Sequence, residues 1–145
     1  MDFSDPYINA GQILVVPAGS TGIETLDDMT GRTVGAQIGT TGAFAVQEVA
    51  GVELATYDEI GLAFEDLASG RIDGVVADTP VAANYALQNE SYAESLMIVG
   101  EPFTDEYYGI AFPQGRTALV DMVNEGLAAV QADGTIDELT EKWLR

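Results

Sequence analysis

The sequence contains no cysteine and no histidine, and it has one lysine and one tryptophan. Without cysteine there are no disulfides and no thiolate nucleophile; without histidine as well, imidazole bases and the usual zinc or iron ligands are gone. The compartment is not fixed by this, because an exported chain of 145 residues can fold without bridges. Positive charge is equally scarce: 5 Lys and Arg stand against 24 Asp and Glu, giving a formal net charge of -19 and a pI near 4.1. Phosphate backbones and anionic lipid surfaces are recognised by clustered Lys and Arg, so nucleic acid and membrane surfaces are poor partners. Long hydrophobic runs are missing too. No stretch reaches the roughly 20 apolar residues of a membrane span, and Met1-Asp2-Phe3-Ser4 has neither the basic start nor the apolar run of a signal peptide. Any export signal is expected upstream of this sequence. The acid excess fits either a surface kept soluble in strong salt or simply an acidic exported protein.

What is present is an interior. Hydrophobic residues make up 47% of the chain, enough to offset the entropy of folding for about one domain. Short apolar runs alternate with helical patterns, the signature of a parallel sheet covered by helices. Strands are expected at residues 12–16, 33–37, 52–56, 73–77, 95–99 and 107–112. Thr25-Leu26-Asp27-Asp28 opens a short helix with a capping-box pattern that Gly31 ends, and residues 41–49 form the next. Asp58 is expected to cap a third helix, with Ile60, Phe64 and Leu67 on one face and Gly70 at its end. Asp78-Thr79-Pro80 opens a fourth, with proline in the first turn where its missing N–H costs nothing. Beyond residue 112 two helices follow with no strand between them. Leu119, Met122, Val123, Leu127 and Val130 form one stripe; Gly134 ends that helix, and Thr135-Ile136-Asp137-Glu138 reads as a capping box for a last one carrying Ile136, Leu139 and Trp143. These stripes need a partner surface. There is no internal repeat and no low-complexity stretch.

Five segments occur in a telling order. They are Phe3-Ser4-Asp5-Pro6-Tyr7 with Gly11-Gln12; Thr33-Val34-Gly35 running to Gly39-Thr40-Thr41-Gly42; and Gly70-Arg71-Ile72-Asp73-Gly74-Val75-Val76-Ala77-Asp78. Then come Gly100-Glu101-Pro102-Phe103 with Tyr107-Tyr108-Gly109-Ile110-Ala111, and finally Asp133-Gly134-Thr135 with Lys142-Trp143. Together they resemble the carboxy-terminal part of the amino-acid-binding family of extracytoplasmic, periplasmic-type solute-binding proteins that serve ABC transporters. The resemblance implies an α/β fold: a three-layer, doubly wound, mainly parallel sheet, the lobe of a type II periplasmic-binding protein. Its parallel strands would run in order 2-1-3, with the 12–16 strand antiparallel beside the third. Residues 1–10 would be a remnant of a first lobe, 11–103 a complete second lobe, and 104–145 a return crossing with a helical tail belonging to the first lobe. The family's upstream features, aromatic residues that sandwich the ligand and an arginine that grips its carboxylate, do not occur in these 145 residues.

In such a sheet, ligands bind beyond the carboxyl ends of the strands, at the point where the strand order reverses. One strand ends at Gly39-Thr40-Thr41, whose backbone N–H groups, two hydroxyls and helix start suit a carboxylate; the plainer reading is an ordinary threonine N-cap. The spacing of Gly35, Gly39 and Gly42 matches no nucleotide fingerprint. The other strand ends at Asp78, which a helix start could use only as a cap. The resemblance implies that Asp78 instead holds a ligand ammonium and that Gln37 faces the ligand side chain, though Gln37 also suits a polar strand end. Phe44, Tyr85, Tyr107 and Tyr108 read as core or hinge packing, with Tyr108 near enough to the crossing to touch the cleft. Arg71 and Asp73 read as a turn with a local ion pair. No metal or cofactor is expected.

The function implied is a binding protein that delivers a polar or charged amino acid to the membrane subunits of a transporter, its lobes closing by hinge motion. Two alternatives stay open: a non-binding lobe that acts in assembly, and a dehydratase-like enzyme on the same fold. The latter would need a carboxyl group tuned by an apolar pocket, and no single acid is marked out for that. With no first-lobe strands to cover them, the tail's stripes are expected to pair with a second copy as a homodimer rather than return to their own lobe.

Overall fold

A computed structural model describes all 145 residues. The elements in chain order are β1 (Asp2–Phe3), β2 (Ile8–Asn9), β3 (Gln12–Pro17), a 3-10 turn at Leu26–Met29, β4 (Thr33–Gln37), α1 (Thr41–Glu48), β5 (Glu53–Tyr57), α2 (Ile60–Ala68), β6 (Gly74–Asp78) and α3 (Thr79–Ala83). A π-type turn at Asn84–Gln88 extends α3, followed by β7 (Leu96–Val99), β8 (Tyr107–Tyr108), β9 (Ala111–Phe112), α4 (Thr117–Ala132) and α5 (Thr135–Leu144).

The apolar runs of β3 and β6 predict strands buried on both faces, and that is how they fold. A five-stranded sheet has the order β5-β4-β6-β3-β7. β4 lies between its parallel partners β5 and β6, the expected 2-1-3 arrangement, and β3 runs antiparallel between β6 and β7. Alternation along each strand divides the interior in two. Ile13, Val15, Val75 and Ala77 face Phe64 and Leu67 of α2, while Leu14, Val16, Val34 and Val76 face Val46 of α1 and Leu26 and Met29 of the 3-10 turn. The result is a three-layer α/β unit.

The expected strand at 107–112 is interrupted. β8 pairs with β2 and β9 with β1, both antiparallel, as two short ribbons. Pro6 sits between β1 and β2 on the facing strand and has no N–H for a continuous ladder. Two cap assignments and one ion pair also change. α2 starts after Glu59 with no side-chain cap, so Asp58 does not cap it. α5 starts after Gly134, which places Thr135 inside the helix rather than at its cap; the Asp133 carboxylate accepts from the Thr135 N–H at 2.9 Å instead. Arg71 pairs with Asp66 at 2.6 Å and not with Asp73, whose carboxylate accepts from the Thr33 N–H at 2.9 Å. Among the aromatics, Tyr85 stacks on buried Phe64 with ring centroids 4.2 Å apart, whereas Phe44 and Tyr107 are exposed rather than packed.

The tail departs furthest from expectation. α5 returns to its own unit, lying against α3 and the Asn84–Gln88 turn, and the Gln88 side chain donates to the Trp143 carbonyl at 2.8 Å. α4 touches β1, and just beyond that strand Asn124 accepts from the Asp5 N–H at 2.8 Å. Yet neither α4 nor α5 contains a buried residue, and Leu119, Met122, Leu139 and Trp143 stay exposed. No helix is long and apolar enough to cross a membrane.

Candidate functional site

Antiparallel pairing of β3 with β6 puts the first residue of one opposite the last residue of the other: Gln12 faces Asp78. The parallel partner β4 ends on the same side, so the start of α1 reaches the same place. The third contribution comes from the loop after β7 and from β8, which bring Thr104, Glu106 and Tyr108.

These side chains form one hydrogen-bonded cluster. Gln12, 1% exposed, donates through Nε2 to Asp78 Oδ1 at 2.6 Å and to Thr41 Oγ1 at 3.0 Å. Glu106 Oε2 accepts from the Thr41 hydroxyl at 3.0 Å, and Glu106 Oε1 accepts from the Thr104 hydroxyl at 2.7 Å. Thr104 Oγ1 in turn accepts from the Gln12 N–H at 2.8 Å. The Tyr108 hydroxyl donates to Asp78 Oδ2 at 2.7 Å. Burial, together with the hydrogen bond to the Asp78 carboxylate and its charge, pushes the Tyr108 phenol well above its ordinary pKa, so it remains a donor at neutral pH.

Asp78 stands at the N-cap of α3 but makes no cap hydrogen bond; both carboxylate oxygens are engaged by Gln12 and Tyr108. The threonines divide their work. Thr40 is the structural one, its hydroxyl donating to the Gln37 carbonyl at 2.7 Å and accepting from the Ala43 N–H at 3.3 Å, whereas Thr41 turns its hydroxyl into the cluster. Gly39 has φ +74°, the left-handed region that a side chain resists, and makes the turn from β4 to α1. Gly42 leaves room for the amide: a Cβ there would lie 2.5 Å from Gln12 Oε1. The Gln37 side chain is partly committed, donating to the Asp58 carbonyl at 3.0 Å.

Beside the cluster is a small hollow of about 130 Å³, with Gln12, Gln37, Thr40 and Asp78 on its polar side and Ile60 and Val81 on its apolar side. A larger hollow of about 760 Å³ lies under α5, between Ile136 and Leu144 on one wall and Leu87 and Leu96 on the other. The small one carries the polar chemistry and sits at the strand ends; the large one is the gap between the tail and the unit it leans on. Three members of the cluster, Gln12, Thr104 and Glu106, were outside the sequence expectations. Gln12 had one signal, a polar residue opening an otherwise apolar strand. Glu106 had none among 24 acids.

The profile described as bacterial extracellular solute-binding proteins, family 3, matches residues 1–145. The chain belongs to that family. The L-cystine-binding protein TcyJ of Escherichia coli (strain K12) is 36% identical over 144 residues, which cover 98% of this chain and 53% of TcyJ. In structure the chain is similar to an ancestral arginine-binding protein bound to glutamine, with 44% identity and a TM-score of 0.70, covering 98% of this chain and 63% of that one. It is also similar to an ancestral cationic amino acid solute binding protein, with 37% identity and a TM-score of 0.82, covering 99% and 62%. The chain spans about half the length of the curated relatives it matches. These relatives are amino-acid-binding proteins by name.

Proposed function

We propose that this chain is the lobe of an amino-acid-binding protein that receives the ligand's carboxylate at the start of α1 and its ammonium at Asp78, for delivery to the membrane subunits of an ABC uptake transporter. The observation that carries the reading is the state of Asp78. A residue at a helix start whose carboxylate makes no cap bond is free for another partner, and Tyr108 and Gln12 hold it at the crevice. A ligand ammonium there makes a charge-assisted hydrogen bond, and the backbone N–H groups of Gly39 and Thr41 are offered to the carboxylate, that of Thr40 being turned to the Gln37 carbonyl. Gln37, on the wall of the small hollow, faces the ligand side chain. The names of the relatives support a polar or charged amino acid as the ligand class: they name cystine, histidine, glutamine, glutamate and arginine. In this reading residues 1–10 are a remnant of the first lobe, 11–103 the complete second lobe and 104–145 the return crossing with its helices. The working place is outside the cytoplasm, as in the family, and the role is binding rather than catalysis.

Calorimetry with a panel of L-amino acids, on this chain and on the chain joined upstream to the first lobe of a relative, tests the reading. Saturable heat is expected, tighter in the joined form because a second lobe removes the remaining water from the ligand. No saturable heat in either form would refute it.

A second reading concerns assembly, and the exposed faces of α4 and α5 favour it. Leu119, Met122, Leu139 and Trp143 are between 44% and 68% exposed, which suits a homodimer formed through the tails. Light scattering at micromolar concentration gives twice the chain mass if this is so, and the chain mass if the contact of α5 with its own unit suffices.

A further inference from the structure

The hydroxyl placed to receive a ligand carboxylate already serves a carboxylate of the chain itself. Ionised Asp78 and Glu106 can only accept hydrogen bonds, so the Gln12 amide between them presents its NH2 group. Gln12 Nε2 donates to Asp78 Oδ1 at 2.6 Å and to Thr41 Oγ1 at 3.0 Å, and Glu106 Oε2 lies 3.5 Å from the same nitrogen. Thr41 is thereby fixed as a donor. Its oxygen accepts from Gln12, which leaves the hydroxyl hydrogen to be given away, and it goes to Glu106 Oε2 at 3.0 Å. Glu106 reaches Thr41 from a pinned backbone. Its carbonyl accepts from the Ala10 N–H at 2.6 Å, its N–H donates to Asn9 Oδ1 at 3.4 Å, and the Thr104 hydroxyl donates to Oε1 at 2.7 Å.

We propose that Glu106 is an internal competitor for the ligand: in the empty site its carboxylate takes the Thr41 donor that the ligand carboxylate needs, and binding exchanges one for the other. The proposal rests on the reading of Thr41 and Asp78 given above. Two carboxylates cannot share one hydroxyl hydrogen, and side by side they repel, so Glu106 leaves Thr41 as the ligand arrives. The bond given up is charge-assisted, and its loss lowers affinity for every ligand with an α-carboxylate, whatever its side chain. The exchange also has a structural consequence. Glu106 lies in the segment that leads into β8, so its bond to Thr41 ties the return crossing to the start of α1 only while the site is empty. Thr104, which accepts from the Gln12 N–H, stays as the anchor of that segment.

The test is NMR titration of the whole chain with arginine, with glutamine and with agmatine, which is arginine without its carboxylate. The amides of Thr41 and Asp78 and the side-chain carboxyl carbon of Glu106 are followed, and thermal melts report whether each variant is folded. Glu106→Asp separates competition from charge, because it keeps the negative charge but is one carbon too short to reach Thr41 from the pinned backbone. It is expected to bind arginine and glutamine about fivefold tighter than the wild type does and to leave agmatine unchanged. Glu106→Ala should tighten glutamine at least as much. In the wild type the Glu106 carboxyl signal should move with the same midpoint as the Thr41 amide when glutamine is added. A Glu106→Asp chain that binds arginine and glutamine as the wild type does, or that tightens agmatine equally, overturns the competitor role. If Asp78→Ala abolishes arginine binding while Glu106→Asp leaves it unchanged, only this inference fails. If no probe moves Thr41 or Asp78 in the wild type or in Glu106→Asp, the reading of the site fails and this inference with it.

Discussion

α2 and α4 carry similar apolar stripes and end in very different surroundings. Phe64 and Leu67 of α2 are 0% and 1% exposed, sealed against β3 and β6, while Leu119 and Met122 of α4 are 44% and 68% exposed. A stripe specifies which face of a helix seeks cover; it does not say what covers it. In the β/α unit the sheet is at hand, because β4, β5 and β6 are joined by α1 and α2 and each helix must lie across the strands it connects. The tail has no such tether. α4 and α5 are held by polar contacts at their edges, Asn124 to Asp5, Gln131 to Pro6 and Gln88 to Trp143.

The largest expected effect follows from that difference. Phe64→Ala removes a fully buried ring stacked on Tyr85 and should destabilise the chain by about 3–5 kcal/mol in urea unfolding. Met122→Ala, the same kind of truncation on the tail, should stay within about 0.5 kcal/mol. Equal losses would mean that the tail is part of the core after all.

Acid gives a finer version of the comparison. Asp28 is held below the usual carboxylate range by the backbone N–H groups of Glu24 and Thr25 and by the Thr25 hydroxyl. Asp66 is held there by the hydrogen bond from Arg71 and then by that from Tyr57. A depressed folded pKa means that the unfolded chain binds the proton first. The associated stability is present above the unfolded value and is lost as pH falls through the folded one. Asp66→Asn should therefore flatten the decline of the urea midpoint below the ordinary carboxylate range. Asp133, in the tail, is also held low, by hydrogen bonds from the Thr135 side chain and N–H. If the tail unfolds apart from the unit, Asp133→Asn leaves that decline unchanged; an equal flattening would join the two regions. The smallest effect expected is from salt. Screening among 24 carboxylates should raise the thermal midpoint of the whole chain, and a midpoint that falls with added salt would remove the idea of a salt-adapted surface.

The same contrast explains what was legible beforehand. The strands β3 to β7 fall within one residue of their expected positions, and their order follows from a pattern that admits few alternatives. Thr41 and Asp78 were visible because the ends of parallel strands are known once the strands are. Gln12, Thr104 and Glu106 were not, because they join the cluster only through a register, Gln12 opposite Asp78, and a loop path from β7 to β8, neither of which any local pattern encodes. The return of α5 to its own unit was missed for a related reason. The crossing strand was expected to run unbroken and carry the tail away, but it divides into β8 and β9 beside Pro6.

The central claim is that Asp78 serves a ligand and not the fold. Asp78→Ala deletes the acceptor of two hydrogen bonds but leaves Gln12 with Thr41 and Glu106, and it opens Tyr108 to the crevice, so the unfolding free energy should fall by only about 1 kcal/mol. Calorimetry of Asp78→Ala against the wild type, with the ligand that binds the wild type best, is the direct measurement. The account predicts a folded variant with no detectable binding; a folded variant that binds as the wild type does would contradict it.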